Sequence, residues 1–468
     1  MRPDLSPRQR NETLTEGGGE LIRRFEAVGI DHLRLPDGQS ARATILALQT
    51  NPDVVSVQPN YIRHIVVNPN DPQWLSGSLY GMQRIQVPPV WPDFVTEHGT
   101  VVVASIDTGV EYTHPDLAAN MWRNPDELPG NQIDDDGNGY VDDLHGIDSV
   151  NNDSDPMDDH GHGTHTAGTM AGVGNNGMGI IGVHPTAQII ACKFISSAGS
   201  GTDAGAIACF DYLIALKNRG INVRVTNNSW GATRLPGMQF PAALKDAMDA
   251  AGAAGILNVC AAGNSNSNNE GNPYEPASFT SPSIVSVAAS DGQDDRAGFS
   301  NYGATTVDLA APGVSIISTM TGGYQFLSGT SMAAPHVAGA AALLAERHPP
   351  LSADSLKSYV LNNVDLVPAW SGLTVTGGRL NVSRAANAAS ATSTFRVLEV
   401  SRPAANTFRI MWSSVPGGRY QVLSAPEMLA PFALSSGVIT AGPDETTKSY
   451  TDTSAGGERK FYKVELVP

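Results

Sequence analysis

Unbroken apolar runs, rather than alternating ones, mark the middle of this chain. Val101-Val102-Val103-Ala104-Ser105-Ile106 ends on Asp107 and a Thr108-Gly109 turn, and Ile256-Leu257-Asn258-Val259-Cys260-Ala261-Ala262 ends on Gly263-Asn264. Short apolar runs closed by glycine turns predict strands buried on both faces. Asp203 to Leu216 follows a helical pattern, and Ser331 opens a second helix of another kind. Its Ala333, Ala334, Ala338, Gly339, Ala340, Ala341 and Ala342 are small enough to pack deep among neighbours, and Pro335 places the helix start close by. The two ends of the chain read differently. Residues 20–35 predict a helix then a strand, Ser40 to Thr50 an amphipathic helix, and Val54 to Tyr61 a strand running into an extended tail. After about Ala391 the pattern alternates, in Phe408 to Trp412, Arg419 to Leu423 and Lys460 to Val464. Turns rich in Gly, Pro and Asp separate these segments, which predicts a β-sandwich over residues 392–468.

Three segments carry reactive groups. A carboxylate at the C-terminal end of an apolar strand lies where open α/β sheets hold their ligands. Asp107 is such a group, although a turn cap would use the same residue. Ser331 sits at a helix start facing a cleft, in Gly329-Thr330-Ser331-Met332-Ala333-Ala334-Pro335-His336. A serine hydroxyl is a poor nucleophile unless a base is beside it. The run His160-Gly161-His162-Gly163-Thr164-His165 offers three candidate bases. The same histidines could suggest zinc, but offsets of two and three differ from the i, i+4 pairs of helical zinc motifs, and no cysteine is near.

In the order Asp, His, Ser, these motifs resemble those of the subtilisin family of serine endopeptidases. The signatures are Asp107-Thr108-Gly109-Val110 with His114-Pro115-Asp116-Leu117, His162-Gly163-Thr164-His165, and Gly329 to His336, and the resemblance covers residues 69–390. It implies an α/β fold, a subtilisin-like doubly wound, mostly parallel sheet flanked by helices. It implies that Ser331 attacks the scissile carbonyl, His162 carries the proton and Asp107 orients His162. Asn264 matches the family's oxyanion-hole asparagine, with the Ser331 N–H as second donor; a turn cap is the plainer role for Asn264. Ser229, Trp230 and Gly231 resemble the substrate-binding strand, and Gly199, Ser200 and Gly201 its partner across the cleft. A protein or peptide substrate would add between them as a β-strand held by main-chain hydrogen bonds, which implies broad specificity. Gly231 and Gly263 lack side chains, so room for a sizeable P1 residue is expected. Met332, next to the nucleophile, implies sensitivity to oxidants.

Composition narrows the picture further. At 468 residues the chain exceeds one core, and Gly 48, Pro 31 and only 16% charged residues fit a compact α/β body with many tight turns. A net charge of −17 argues against nucleic acid and anionic membranes. No apolar run reaches the ~18 residues of a membrane helix. Part of the acidity is concentrated in Asp134-Asp135-Asp136-Gly137-Asn138-Gly139-Tyr140-Val141-Asp142-Asp143. Asp134, Asp136, Asn138, the main chain at Tyr140 and Asp142 alternate as in a calcium loop, though a solvated acidic turn has the same composition. The resemblance implies a second structural calcium site from Asp71, Asp116 and Asn176, with carbonyls near Met178 and Ile180, and no catalytic metal. Cys192, Cys209 and Cys260 cannot all pair and are expected as buried free thiols.

The resemblance also implies three domains: a small α+β prodomain at 1–66, a catalytic domain at 67–391 and a fibronectin type III-like β-sandwich at 392–468. The prodomain would act as an intramolecular inhibitor of a self-processed zymogen, with cleavage between about Tyr61 and Pro69. Met1 to Gly19 is polar and shows neither a signal peptide nor the extra strand usual at a family prodomain's start. An extracellular, periplasmic or cell-surface location and a monomeric state therefore rest on resemblance. The alternative reading is a latent or non-catalytic protein-binding homologue held by its prodomain.

Overall fold

Residues 20–35 form a hairpin, not a helix followed by a strand. β1 (Glu20–Phe25) pairs antiparallel with β2 (Ile30–Arg34) across a short 3-10 turn and Gly29, whose φ of 65° suits glycine. Six residues are too few for a helix stable by itself. A partner strand a few residues away satisfies the same backbone groups, and Arg24 pairs with Asp31 across the hairpin at 2.7 Å. The computed structural model describes residues 68–93, 99–234, 237–349 and 351–393. It also describes 397–404, 407–413, 419–425, 433–440, 447–453 and 461–467, and, near the start, 5–6, 9–10, 13–14, 19–35, 44–45, 48 and 51–57. The expected processing segment and most of the Ser40 to Thr50 helix lie outside the described residues. Asn51 to Val57 is turn and irregular chain rather than the start of a strand, because Val54 N–H turns back onto Asn51 O at 3.1 Å. The chain divides into two compact units, 1–66 and 67–468.

Parallel pairing accounts for the unbroken apolar runs of the second unit. β3 (Val102–Asp107) is buried at every residue and bonds in parallel to β5 (Gln188–Lys193) on one side and β6 (Val223–Asn228) on the other. β4 (Gly146–Asp148) lies beyond β5. Beyond β6 come β8 (Leu257–Ala261), β10 (Ile284–Ser290) and β11 (Leu309–Pro312), then the short β15 (Gly378–Arg379) and antiparallel β14 (Asp365–Leu366). After β3 the chain builds toward one edge, and from β6 onward it builds toward the other. The carboxyl end of β3, where Asp107 stands, is therefore a topological switch point.

Both faces of this sheet are covered. Short α1 (Pro72–Leu75) and α2 (Tyr80–Arg84) lead into it. α3 (His162–Ala171) and α6 (Thr330–Arg347) pack on Val103, Val225, Val259 and Val285. α4 (Asp203–Asn218) and α5 (Ala242–Ala253) cover Val102, Ala104, Ile106 and Cys192 on the other face. Cys192, Cys209 and Cys260 are buried and free. Among the described residues no helix is long and apolar enough to cross a membrane.

Pro335 is not at the helix start. It lies in the second turn of α6, buried along with nearly all of that helix. A proline there removes the N–H that would bond the carbonyl of Ser331. That carbonyl accepts the Ser229 hydroxyl instead, at 2.9 Å.

Beyond the α/β body, two antiparallel sheets share one small core. β16 (Val397–Ala404), β17 (Thr407–Ser413) and β21 (Thr447–Asp452) form the first. β18 (Arg419–Ala425) with β19 (Ala433–Leu434), β20 (Ile439–Thr440) and β22 (Phe461–Val467) form the second. Ile410 and Trp412 from one meet Tyr420 and Val422 from the other.

Candidate active site

Asp107 leaves the end of β3 fully buried, and its Oδ1 accepts the Thr108 N–H at 2.8 Å and His162 Nδ1–H at 2.7 Å. His162 is the first residue of α3, and the next residue must be a glycine. A Cβ on Gly163 would lie 2.1 Å from Gly109 O and 3.1 Å from Asp107 Cβ. The helix start can approach the strand end this closely only without a side chain. Asp158 joins the two elements. Its Oδ1 accepts Thr108 Oγ1–H at 2.9 Å and the N–H groups of His160 and Gly161 at 3.0 and 2.9 Å. Its Oδ2 accepts the N–H and hydroxyl of Thr164 at 2.9 and 2.6 Å. Gly163 N–H completes the joint by donating to Thr108 Oγ1 at 2.9 Å. On the other flank buried Lys193 donates to Thr108 O at 2.7 Å and Ile195 O at 3.2 Å, and pairs with Asp159 at 2.6 Å.

Burial works against charge on His162, but the Asp107 carboxylate outweighs it, with a smaller push from Asp158, so its pKa is raised. The neighbouring histidines are unlike it. His165 is buried with Nε2 between the carbonyls of Ile316 and Gln325, and burial pushes it down to about 4. His160 is exposed, its ring 6.3 Å from that of His162.

Ser331 and Asn264 are brought together by Thr330. Thr330 N–H and Oγ1–H both donate to Asn264 Oδ1, at 2.8 and 2.9 Å, and Gly263 N–H donates to Thr330 Oγ1 at 3.1 Å. Only the amide oxygen can accept these donors, so the NH2 of exposed Asn264 faces the opposite way. The Ser331 N–H lies in the first turn of α6, where helix donors have no intrahelical acceptor. Ser331 Oγ donates to Ser229 O at 3.0 Å, and among the described residues no hydrogen bond joins it to His162 Nε2.

Ser229, Trp230 and Gly231 follow β6. Trp230 packs edge-on against Phe194 with ring centroids 4.7 Å apart. Gly199, Ser200 and Gly201 form an exposed turn tied by Ser196 N–H to Ser200 O at 3.0 Å, and Gly199 faces His160. The space expected beside Gly231 and Gly263 holds an aromatic ring. A Cβ on Gly231 would lie 2.4 Å from Glu275 O and 2.6 Å from Tyr274 Cε1, and one on Gly263 2.4 Å from Asn301 Nδ2 and 2.9 Å from Tyr274 Cδ2 and Cγ.

Residues 98–394 match the Subtilase family, peptidase S8. The chain belongs to that family. It is similar to the thermophilic serine proteinase of Bacillus sp. (strain AK1), at 39% identity over 66% of this chain and 67% of that protein. It is similar also to thermitase of Thermoactinomyces vulgaris, at 36% identity over 68% of this chain and 98% of thermitase. Among solved structures it resembles a cold adapted subtilisin-like serine proteinase, with 30% identity and a TM-score of 0.50 over 65% of this chain and 98% of that one. This subtilase is a serine-type endopeptidase, and its sheet and flanking helices are subtilisin-like.

Two places in the subtilase could hold a cation. Asp71 and Asp116 are fully buried, and among the described residues Asp71 Oδ1 has no hydrogen-bond partner. Burial raises both carboxyls above the ordinary carboxylate range, and the charge of Asp116 adds to the effect at Asp71. Asn176 turns its NH2 onto Asp116 Oδ1 at 2.6 Å, so its amide would have to rotate to offer oxygen. In the acidic loop the cluster is Glu127, Asp134 and Asp136, a set that differs from the expected alternation. Asp142 instead accepts the N–H groups of Gly130 and Gln132, at 2.8 and 2.9 Å. Asn138 gives its NH2 to Asp136 and Asp143, and Tyr140 N–H donates to Asn138 Oδ1 at 2.7 Å. Glu127 stands apart from the acidic run, so composition alone does not mark it.

Proposed function

We propose that this endopeptidase cleaves proteins through an acyl-enzyme formed on Ser331, with His162 as the proton carrier and Asp107 as its orienting acid. The observation that carries the reading is the 2.7 Å bond between buried Asp107 and His162 Nδ1. It fixes the tautomer that leaves Nε2 free as a base. Ser331 Oγ would rotate off Ser229 O toward Nε2 once substrate arrives, since catalytic hydrogen bonds often tighten only in the complex. His162 then takes the hydroxyl proton as Oγ bonds to the carbonyl carbon, and returns it to the departing amine. The Asn264 NH2 and the Ser331 N–H would hold the developing oxyanion, and removing the former should cost about 10²–10³ in kcat. The substrate main chain would lie between Ser229–Gly231 and Gly199–Gly201 as an added strand.

Asp71 and Asp116, with Asn176, would hold one structural calcium, and Glu127, Asp134 and Asp136 a second. The unpartnered Asp71 oxygen beside a second buried carboxylate supports the first. Such ions would add their binding free energy to stability. Residues 1–66 would act as prodomain and inhibitor of a secreted, monomeric precursor, 67–391 as the catalytic domain and 392–468 as a fibronectin type III-like sandwich.

Casein hydrolysis by the full chain, compared with Ser331→Ala and with and without calcium, tests the reading. Activity confined to the wild type, and a mass loss near the 1–66 boundary that Ser331→Ala lacks, are expected. Equal inertness of both proteins with calcium present overturns it and favours the latent alternative.

A further inference from the structure

We propose that Tyr274 floors the P1 pocket and restricts this endopeptidase to small P1 side chains. The inference rests on the reading above, in which the substrate main chain runs along Ser229–Gly231. Its reacting carbonyl then sits between Ser331 Oγ and the Asn264 NH2. The side chain beside that carbonyl has one direction to go, between Gly231 and the Gly263–Asn264 turn. Both walls are glycines, and the second has a φ of 106° that excludes most other residues. Two bare walls should make a deep slot.

Tyr274 takes up that depth. Its ring spans the two walls, Cε1 against Gly231 next to the Glu275 carbonyl, and Cγ and Cδ2 against Gly263 next to the Asn301 amide. The ring is also held in place. β9 (Tyr274–Glu275) pairs with β7 (Ala232–Thr233), the segment that directly follows Gly231. Tyr274 N–H donates to Ser278 Oγ at 3.0 Å, and Ser278 N–H donates back to Tyr274 O at 2.8 Å. Arg234 N–H donates to Pro273 O at 2.9 Å, and the Arg234 side chain pairs with Glu275 at 3.4 Å. Wall and floor are thus one bonded unit. The phenol is half-buried, and burial raises its pKa, as expected for a ring lying in a narrow, poorly hydrated place. A methyl or ethyl group can rest on the ring. An aromatic P1 group would have to displace it and break the β7–β9 pairing.

The test compares kcat/KM of the full-chain wild type, Tyr274→Ala, Tyr274→Leu and Tyr274→Phe on peptide p-nitroanilides that differ only at P1, as Ala, Leu or Phe. Ser331→Ala serves as the blank. The wild type should prefer P1 Ala over Phe by about tenfold or more, within the ~10–200-fold that such pocket fits decide. Tyr274→Phe should keep that preference. Tyr274→Ala should reverse it toward Phe, with Tyr274→Leu between, so that a poorly folded alanine variant still leaves a readable series. A wild type that prefers Phe, or ratios that stay within twofold across the series, overturns the proposal while leaving the endopeptidase reading intact. Wild-type rates no higher than the blank on every substrate sink that reading, and this one with it.

Discussion

Ser229 and Ser331 exchange two hydrogen bonds. Ser331 Oγ donates to Ser229 O at 3.0 Å, and Ser229 Oγ donates to Ser331 O at 2.9 Å. The second exists because Pro335 cannot supply the helical N–H that would otherwise satisfy Ser331 O. The proline therefore ties the start of α6 to the segment that follows β6.

Ser229→Ala should strand that carbonyl and cost about 1–3 kcal/mol of stability. Pro335→Ala restores an N–H, so in the Ser229→Ala background it should recover much of the loss, whereas alone it should change little. Urea denaturation of the four proteins measures the coupling. Strict additivity would mean the two residues do not share the carbonyl.

Asp158 joins the Asp107 turn to the His162 helix by accepting donors from Thr108, His160, Gly161 and Thr164. In Asp158→Asn one acceptor becomes an NH2 that must face donors, at a cost of about 1–3 kcal/mol or more. Its charge also favours the protonated imidazole of His162. The acid limb of kcat/KM should therefore move to lower pH in the variant. An unchanged limb would show that the charge of Asp158 does not reach His162.

These two residues show where the sequence was legible and where it was not. Asp107, His162, Ser331 and Asn264 stand out because the proposed chemistry needs those side chains, and Gly163 and Gly263 mark backbones too close or too twisted for others. The partners of Asp158, Lys193 and Thr330 include many main-chain groups, which leave no mark on residue identity. Tyr274 lies in a two-residue strand, too short to show a period, so its ring over Gly231 and Gly263 could not be anticipated. The β1–β2 hairpin is hidden for a similar reason, since its stability comes from the partner strand rather than from its own pattern. Pro335 can lie in the second turn because the serine that satisfies the freed carbonyl is far along the chain.

Activity should fall on acidification through a pKa above the usual 6.5 of histidine. On the proposed mechanism His162 must be neutral to accept the Ser331 proton, and Asp107 raises its pKa. Asp107→Asn should remove that push and disturb the tautomer, lowering kcat by about 10⁴. A pH–rate profile of kcat/KM on a peptide anilide reads the first effect and single-turnover rates the second. A loss under tenfold would contradict the orienting role of Asp107.

Stability should respond to acid in the opposite sense to His162. His165 and His336 are buried, and burial depresses each to about 4. In the unfolded chain both would titrate near 6.5, so between about 6.5 and 4 the unfolded state binds the extra protons. Stability is then full above 6.5 and declines as pH falls, by about 1.4 kcal/mol per pH unit for each ring. His162, with its raised pKa, contributes stability that is full below 6.5 and lost as pH rises through the folded value, which offsets little of the decline. His165→Gln keeps an NH2 for the carbonyls of Ile316 and Gln325 but cannot titrate. In a Ser331→Ala background, which is free of self-digestion, its unfolding free energy between pH 4.5 and 6.5 should fall less steeply than that of Ser331→Ala alone, by about 1.4 kcal/mol per pH unit. Equal slopes for the two proteins would show that His165 is not a source of acid sensitivity.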